Sequence, residues 1–254
     1  MSALDSLISW AIAGGLHAHD RITVSFDTLT GERSVKATGQ ISAGEVLLRV
    51  PRSLMFMGKL SMDQHAAAPR PKRESDCLAF DLLNELRHQS LGTPSFWAPY
   101  FAVLPTRLGT PLFFNSTERE WLRGSELLGL LARRERELKA SHVLLQEHLH
   151  QIAAATESTA VGGRGASAAV DGRINAPFTL RDVGQVYSLL WSRCFMVKVP
   201  DSLCTVMPDD HAACRRPALV PIGDFFNHAA EAEANVYSYT DVGAADGALV
   251  FFAA

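Results

Sequence analysis

The chain has 254 residues, 47% hydrophobic and 20% charged, with a formal net charge of -3. That is a soluble globular composition, long enough for a substantial core or two packed lobes, and its near-neutral balance gives no bulk attraction to nucleic acid. Four cysteines, Cys77, Cys194, Cys204 and Cys214, form no CxxC pair and no zinc-ligand spacing, so reduced thiols in a cytoplasmic or nuclear compartment are the default.

From Met1 to Leu16 the chain carries Asp5 but no Lys or Arg, which argues against a secretory signal or transit peptide. Leu4, Leu7, Ile8 and Ile12 fall at i, i+3, i+4 and i+8, predicting an amphipathic helix ended by Gly14 and Gly15. Arg21–Phe26 alternates, and Glu45–Val50 is a β-rich run closed by Pro51, with turns marked by Gly31 and Gly44. Gln64–Lys72, rich in Ala and Pro, reads as an exposed loop. Ser75 is the predicted N-cap of a helix through His88, with Leu78, Leu82, Leu83 and Leu86 on one face. Thr117 and Glu120 form a capping-box pattern ahead of a long helical segment, Trp121 to about Ile152. Its Leu127, Leu130, Leu131, Leu138, Val143 and Leu145 stay near helical spacing. His142, His148 and His150 lie on different faces of it and read as solvated.

Ala153–Arg173, rich in Ala, Gly and Ser, reads as a flexible loop. Thr179 and Asp182 make a second capping box, opening a helix through Tyr187 to about Arg193. Strand texture returns at Phe195–Val199, Ala218–Pro221, Asn235–Thr240 and Ala248–Phe252. Strands, then helices, then strands predict a β domain with a helical insertion or companion lobe. No run approaches the ~18 apolar residues that span a bilayer.

The most informative stretch is Leu219-Val220-Pro221-Ile222-Gly223-Asp224-Phe225-Phe226-Asn227-His228-Ala229. An apolar run broken by Pro and Gly delivers Asp, Asn and His within five positions. Hydrogen-bonding side chains carried to a buried place need partners, so the cluster either ties down a turn or holds a ligand. Asp224 and His228, one helical turn apart, are also a candidate metal pair, but no third ligand stands at recognisable spacing.

Three segments together resemble one family. Val35–Pro51 looks like the opening β unit of SET-domain methyltransferases. Ser95-Phe96-Trp97-Ala98-Pro99-Tyr100, Leu104-Pro105 and Thr110–Phe114 are similar to the helical insert of the branch containing the Rubisco large-subunit lysine methyltransferase and its animal relatives. Trp191-Ser192-Arg193-Cys194-Phe195 and Asp224–His228 resemble that branch's cofactor and substrate motifs. The order holds from about residue 4 to residue 254.

The resemblance implies an α+β fold: a mostly-β SET domain, with short strands in small sheets, carrying a large helical insertion. Residues 1–60 hold the N-terminal helix and first β unit, 61–185 the helical insertion with its flexible loop at about 153–173, and 186–254 an incomplete C-terminal part of the core. It further implies an S-adenosyl-L-methionine-dependent protein-lysine N-methyltransferase acting on a non-histone protein. The implied partner is a protein with a target lysine, with no nucleic acid, no membrane and a monomeric enzyme. A non-catalytic SET-like interaction module and a protein-histidine methyltransferase are the alternatives.

Carried over residue by residue, the resemblance sets Asn227 and His228 beside the cofactor and Arg193 on its carboxylate, near the substrate as well. Asp224 falls near the substrate channel, where a carboxylate steadies an incoming cation. Gly31, Glu32 and Arg33 form the first cofactor segment, with Ser34 where the family has a second glycine. No metal is implied. The family's catalytic tyrosine would lie beyond Ala254, with the segment that closes its core and a helical lobe, so no catalytic residue is assigned here. Tyr187 and Phe195 read as core.

Overall fold

The computed structural model describes residues 2–27, 29, 31–58, 73–106, 108–159, 176–200, 215–230, 233–243 and 247–254. In chain order the elements are α1 (Ala3–Ala13), β1 (His17–Ala18), β2 (Ile22–Phe26), β3 (Arg33–Ala37), β4 (Val46–Val50), α2 (Glu74–Ser90) and α3 (Ala98–Phe101). They continue with α4 (Ser116–Glu120), α5 (Leu127–Thr159), α6 (Leu180–Arg193), β5 (Cys194–Lys198), β6 (Arg215–Leu219), β7 (Val236–Asp241) and β8 (Ala248–Ala253). Two compact units result: Met1–Met57, Phe96–Pro105 and Arg193–Ala254 form the first, Gly58–Ser95 and Thr106–Ser192 the second.

The first unit is built from short antiparallel sheets: four strands in the order β1-β4-β8-β7, a β2–β3 hairpin and a β5–β6 hairpin. The apolar run at the chain's end forms the interior strand β8, which pairs Tyr237 with Phe252 on one side and Val50 with Leu249 on the other. Ala248, Leu249, Val250 and Phe251 are accordingly buried. Ser2 starts α1 through a capping box with Asp5, satisfying two otherwise orphaned amides. Leu7 and Ala11 form the buried face, whereas Ile12 is exposed. Four residues set the i, i+4 stripe, and Ile12 lies one step beyond it.

The second unit is helical. Leu131, Leu138, Leu145 and Leu149 form the buried stripe of α5, while Leu127, Leu130 and Val143 face solvent. The α2 helix begins one residue before its predicted cap, with Arg73 at the N-cap. Arg73 pairs with Asp76 at 2.8 Å, and among the described residues no side chain caps the first-turn amides as expected of Ser75. The first capping box is Asn115 with Glu118, not Thr117 with Glu120; the Asn side chain reaches the amide first. The Thr179–Asp182 box is present.

Three other expectations change. Residues 153–159 continue α5, because three alanines in a row favour the helix and no glycine intervenes before Gly162. The rest of the predicted loop, and Gln64–Lys72, lie outside the described residues. His148 is buried edge-on against Phe80, with ring centroids 4.6 Å apart, rather than solvated. The helical insertion is also not continuous: Phe96–Pro105 belongs to the β unit, drawn there by Trp97, whose Nε1 donates to the Leu54 carbonyl at 3.1 Å.

Within the helical unit one buried acid joins three helices. Asp76 accepts from Tyr187 Oη, from Ser141 Oγ at 3.3 Å and from Arg73, and Tyr187 and Ser141 are themselves buried. Such an acid is tolerated only with every partner present. Among the described residues no helix is long and apolar enough to cross a membrane.

Candidate functional site

The polar cluster follows β6 in an unusually sharp turn. Ile222 sits at φ 67°, ψ -36°, and is the positive-φ non-glycine among the described residues. A β-branched residue held there costs about 1–3 kcal/mol. Burial of the Ile222 side chain and two amide bonds, Asp224 N to Val220 O and Phe225 N to Ile222 O at 3.0 Å each, offset that cost. Gly223 is required by space: a Cβ would come within 2.8 Å of both Phe251 and Val220. The reversal buries Asp224 and Phe225 and leaves Asn227 and His228 exposed. The sequence reading had all three polar side chains in a buried place; one is buried, and two line open cavities.

Asp224 is held from two directions. Arg193 Nη1 donates to its carbonyl at 3.0 Å and to its Oδ2 at 3.1 Å, and Tyr100 Oη donates to the same Oδ2 at 3.2 Å. Among the described residues its Oδ1 is buried without a hydrogen-bond partner. Burial raises the Asp224 carboxyl above its ordinary range, outweighing the opposing pull of Arg193 and Arg33. The same burial, with Asp224 nearby, lifts the neighbouring Cys194 thiol to about 12, so it is an inert neutral group.

Arg33, in β3, is turned into the unit. Its Nη2 donates to the Val103 carbonyl, and its guanidinium lies 5.1 Å from the Phe26 ring and 5.7 Å from the Phe225 ring. Burial first, and the nearby Arg193 second, lower it to about 10, still cationic at neutral pH. Its main-chain carbonyl accepts from Asn227 Nδ2 at 3.2 Å, tying the first predicted segment to the last. Ser34, the departure from the family glycine, spends its hydroxyl on Ser25 of the paired strand at 2.7 Å.

Two cavities flank Asn227. One of about 480 Å³ is lined by Gly31, Glu32, Arg33, Ser34, Lys36, Arg193 and Asn227. The other, about 510 Å³, is lined by Asn227 and His228 with apolar residues such as Val35, Leu47 and Phe226. Gly31 takes φ +75° at the mouth of the first, a conformation glycine adopts freely. Gly31, Glu32, Arg33, Arg193 and Asn227, separated by nearly two hundred positions, therefore share one cavity. His228 lines the other, and Asp224 lines neither but sits behind Arg193.

The cluster's charges do not cancel. Arg33, Lys36 and Arg193 stand against two carboxylates, Glu32 and Asp224, and among the described residues both arginine Nε atoms are buried without partners. A site with one surplus positive charge suits a carboxylate. Among the described residues no three His, Cys, Asp or Glu gather as a metal would require. The sequence reading assigned no role to Tyr100; a tyrosine in an otherwise apolar run carries a hydroxyl that must find a partner, which was the available signal. Tyr237 and Tyr239 are exposed on β7. Tyr187 is core, as expected, and Phe195 packs edge-on against Phe251.

No family model matches the chain. Among curated proteins it is similar to the actin-histidine N-methyltransferase of Drosophila melanogaster, 27% identical over 60% of this chain and 27% of that protein. It is also similar to the N-lysine methyltransferase SETD6 of Bos taurus, 30% identical over 46% of this chain and 27% of the relative. Among solved structures, the SET domain of LSMT bound to lysine and AdoHcy superposes with a TM-score of 0.70 and 18% identity, covering 98% of this chain and 50% of that one. The chain thus spans about a quarter of the curated relatives and half of the solved structure. That superposition establishes the fold.

Proposed function

We propose, from the SET-domain fold shared with Rubisco LSMT, that this chain belongs to that branch, binds S-adenosyl-L-methionine and methylates a lysine of a non-histone protein. The observation that carries the reading is the convergence of Gly31-Glu32-Arg33, Arg193 and Asn227 on one cavity with a surplus positive charge. The cofactor carries a carboxylate, an amino group and an adenosine. Arg193 would take the carboxylate, with a paired guanidinium as its natural partner. Asn227 and the Glu32 segment would take the amino group, and Asn227 with His228 the adenine side. The solved neighbours hold AdoMet or AdoHcy, and the residues here fit the same ligand class.

When bound, the cofactor supplies an electrophilic methyl group. What the protein must add is alignment, because in-line displacement gains most of its acceleration from positioning. The rigid elements meet that need: a constrained turn at Ile222 sets Asn227, and the end of α6 sets Arg193. A lysine ammonium has a reference pKa near ~10.4 and no lone pair until it loses a proton, so the acceptor must be dehydrated beside the cofactor. The proposal takes the protein as a monomer in the cytoplasm or nucleus.

Calorimetry with S-adenosylhomocysteine on folded protein tests the reading: binding is expected for the wild type, and Arg193→Ala should weaken it by about tenfold or more. No heat with either nucleoside, from protein whose circular dichroism shows the fold, removes the proposal. Transfer of a labelled methyl group to a protein extract, followed by mass mapping, separates the acceptors. Labelled lysine supports the reading, labelled histidine replaces it with the histidine alternative favoured by the Drosophila relative, and binding without transfer leaves an interaction module.

A further inference from the structure

We propose that Tyr100 is a positioning residue for the carboxylate end of the cofactor cavity, acting through Asp224 on Arg193; the inference rests on the cofactor reading above. The geometry is a chain of three side chains. Tyr100 Oη donates to Asp224 Oδ2 at 3.2 Å, and Arg193 Nη1 donates to that same oxygen at 3.1 Å. Among the described residues Asp224 Oδ1 has no hydrogen-bond partner, and these two donors hold the carboxylate from turning. Without the tyrosine hydroxyl, one guanidinium nitrogen is left to fix both itself and the acid.

Tyr100 can serve as a reference point because its own helix is immobilised. Pro99 lies in the first turn of α3, where its fixed φ costs nothing. Trp97 is tied to the Leu54 carbonyl, and Phe56 packs edge-on against Trp97 at 5.0 Å and Phe101 at 5.5 Å. The Tyr100 ring is wholly buried. Three residues later Val103 offers its carbonyl to Arg33. One inserted segment, Phe96–Pro105, therefore orients both arginines near the cavity: Arg33 directly and Arg193 through the carboxylate.

A purely structural hydroxyl and a positioning hydroxyl differ in ligand selectivity. The test compares two probes by calorimetry: S-adenosylhomocysteine, which carries the carboxylate, and 5′-methylthioadenosine, which lacks it. In Tyr100→Phe the ring remains and only the hydroxyl goes. The expected result is that S-adenosylhomocysteine binds about tenfold more weakly while 5′-methylthioadenosine changes by less than about twofold. Tyr100→Met, which also deletes the hydroxyl and leaves the charge of the site unchanged, should give the same selective loss and serves if Tyr100→Phe fails to fold. Equal weakening of both probes, or no change in either, overturns the role of Tyr100 while leaving the cofactor reading intact. A wild type that binds neither probe overturns the cofactor reading itself, and this inference with it.

Discussion

Arg193 holds Asp224 twice through a single nitrogen, by the main-chain carbonyl at 3.0 Å and by the carboxylate at 3.1 Å. The guanidinium thereby holds the turn that carries Asn227 and His228. Removing only the cation strands a buried acid, a loss of about 3–5 kcal/mol by the usual behaviour of such pairs. Arg193→Met should therefore destabilise strongly, and Arg193→Met with Asp224→Asn should recover a good part of the loss. Urea denaturation of the single and double variants measures it; equal stability of the two would show that the acid is not paired as described.

The pH dependence has a definite sign. Burial raises the folded Asp224 carboxyl above its ordinary value of 3.8, so the folded state holds that proton more tightly than the unfolded chain. Its contribution to stability is greatest below 3.8 and is lost as pH rises through the higher folded value. Wild-type stability relative to Asp224→Asn should fall across that window and then level off. Denaturation midpoints for both proteins between about pH 3.5 and 8 provide the comparison, and a difference that grows with pH contradicts the assignment.

At Gly223 the turn is limited by space. A methyl group there meets Phe251 and Val220 at 2.8 Å, and overpacking of this kind costs about 1–3 kcal/mol. Gly223→Ala should lower stability by that amount and weaken any ligand held by Asn227. Gly109, with nothing within 4 Å and an ordinary φ, is the control; Gly109→Ala should stay within about 0.5 kcal/mol.

The helical unit has its own sensitive point. Tyr187→Phe removes one of the donors to Asp76 and should cost about 1–2 kcal/mol. Asp76→Ala leaves Tyr187, Ser141 and Arg73 without their shared acceptor and should cost roughly 3 kcal/mol or more. The double variant should be no less stable than Asp76→Ala alone, since the tyrosine then has nothing left to lose. Simple additivity in denaturation experiments would count against a shared network.

Local signals proved readable where one residue type determines the outcome. Gly31 and Gly44 both take positive φ, and the Thr179–Asp182 box opens α6. The apolar β8 run is the buried interior strand of its sheet. Where two local solutions compete, the sequence misleads. Thr117–Glu120 and Asn115–Glu118 both satisfy a capping pattern, and the folded chain forms the second. His148 has the polarity of a surface residue, yet an aromatic ring from another helix covers it.

By itself the sequence determined the fold class and which distant segments carry polar chemistry, because apolar spacing and the order of the SET-like motifs are properties of the chain alone. The tertiary structure decided how those groups divide. A constrained Ile222 turn buries Asp224 and exposes Asn227 and His228, and an inserted segment brings Tyr100 to an acid 124 positions away. Periodicity describes neighbours along the chain. Which buried donor meets which buried acceptor depends on packing between segments far apart in it, where an unpaired charge is too costly to leave.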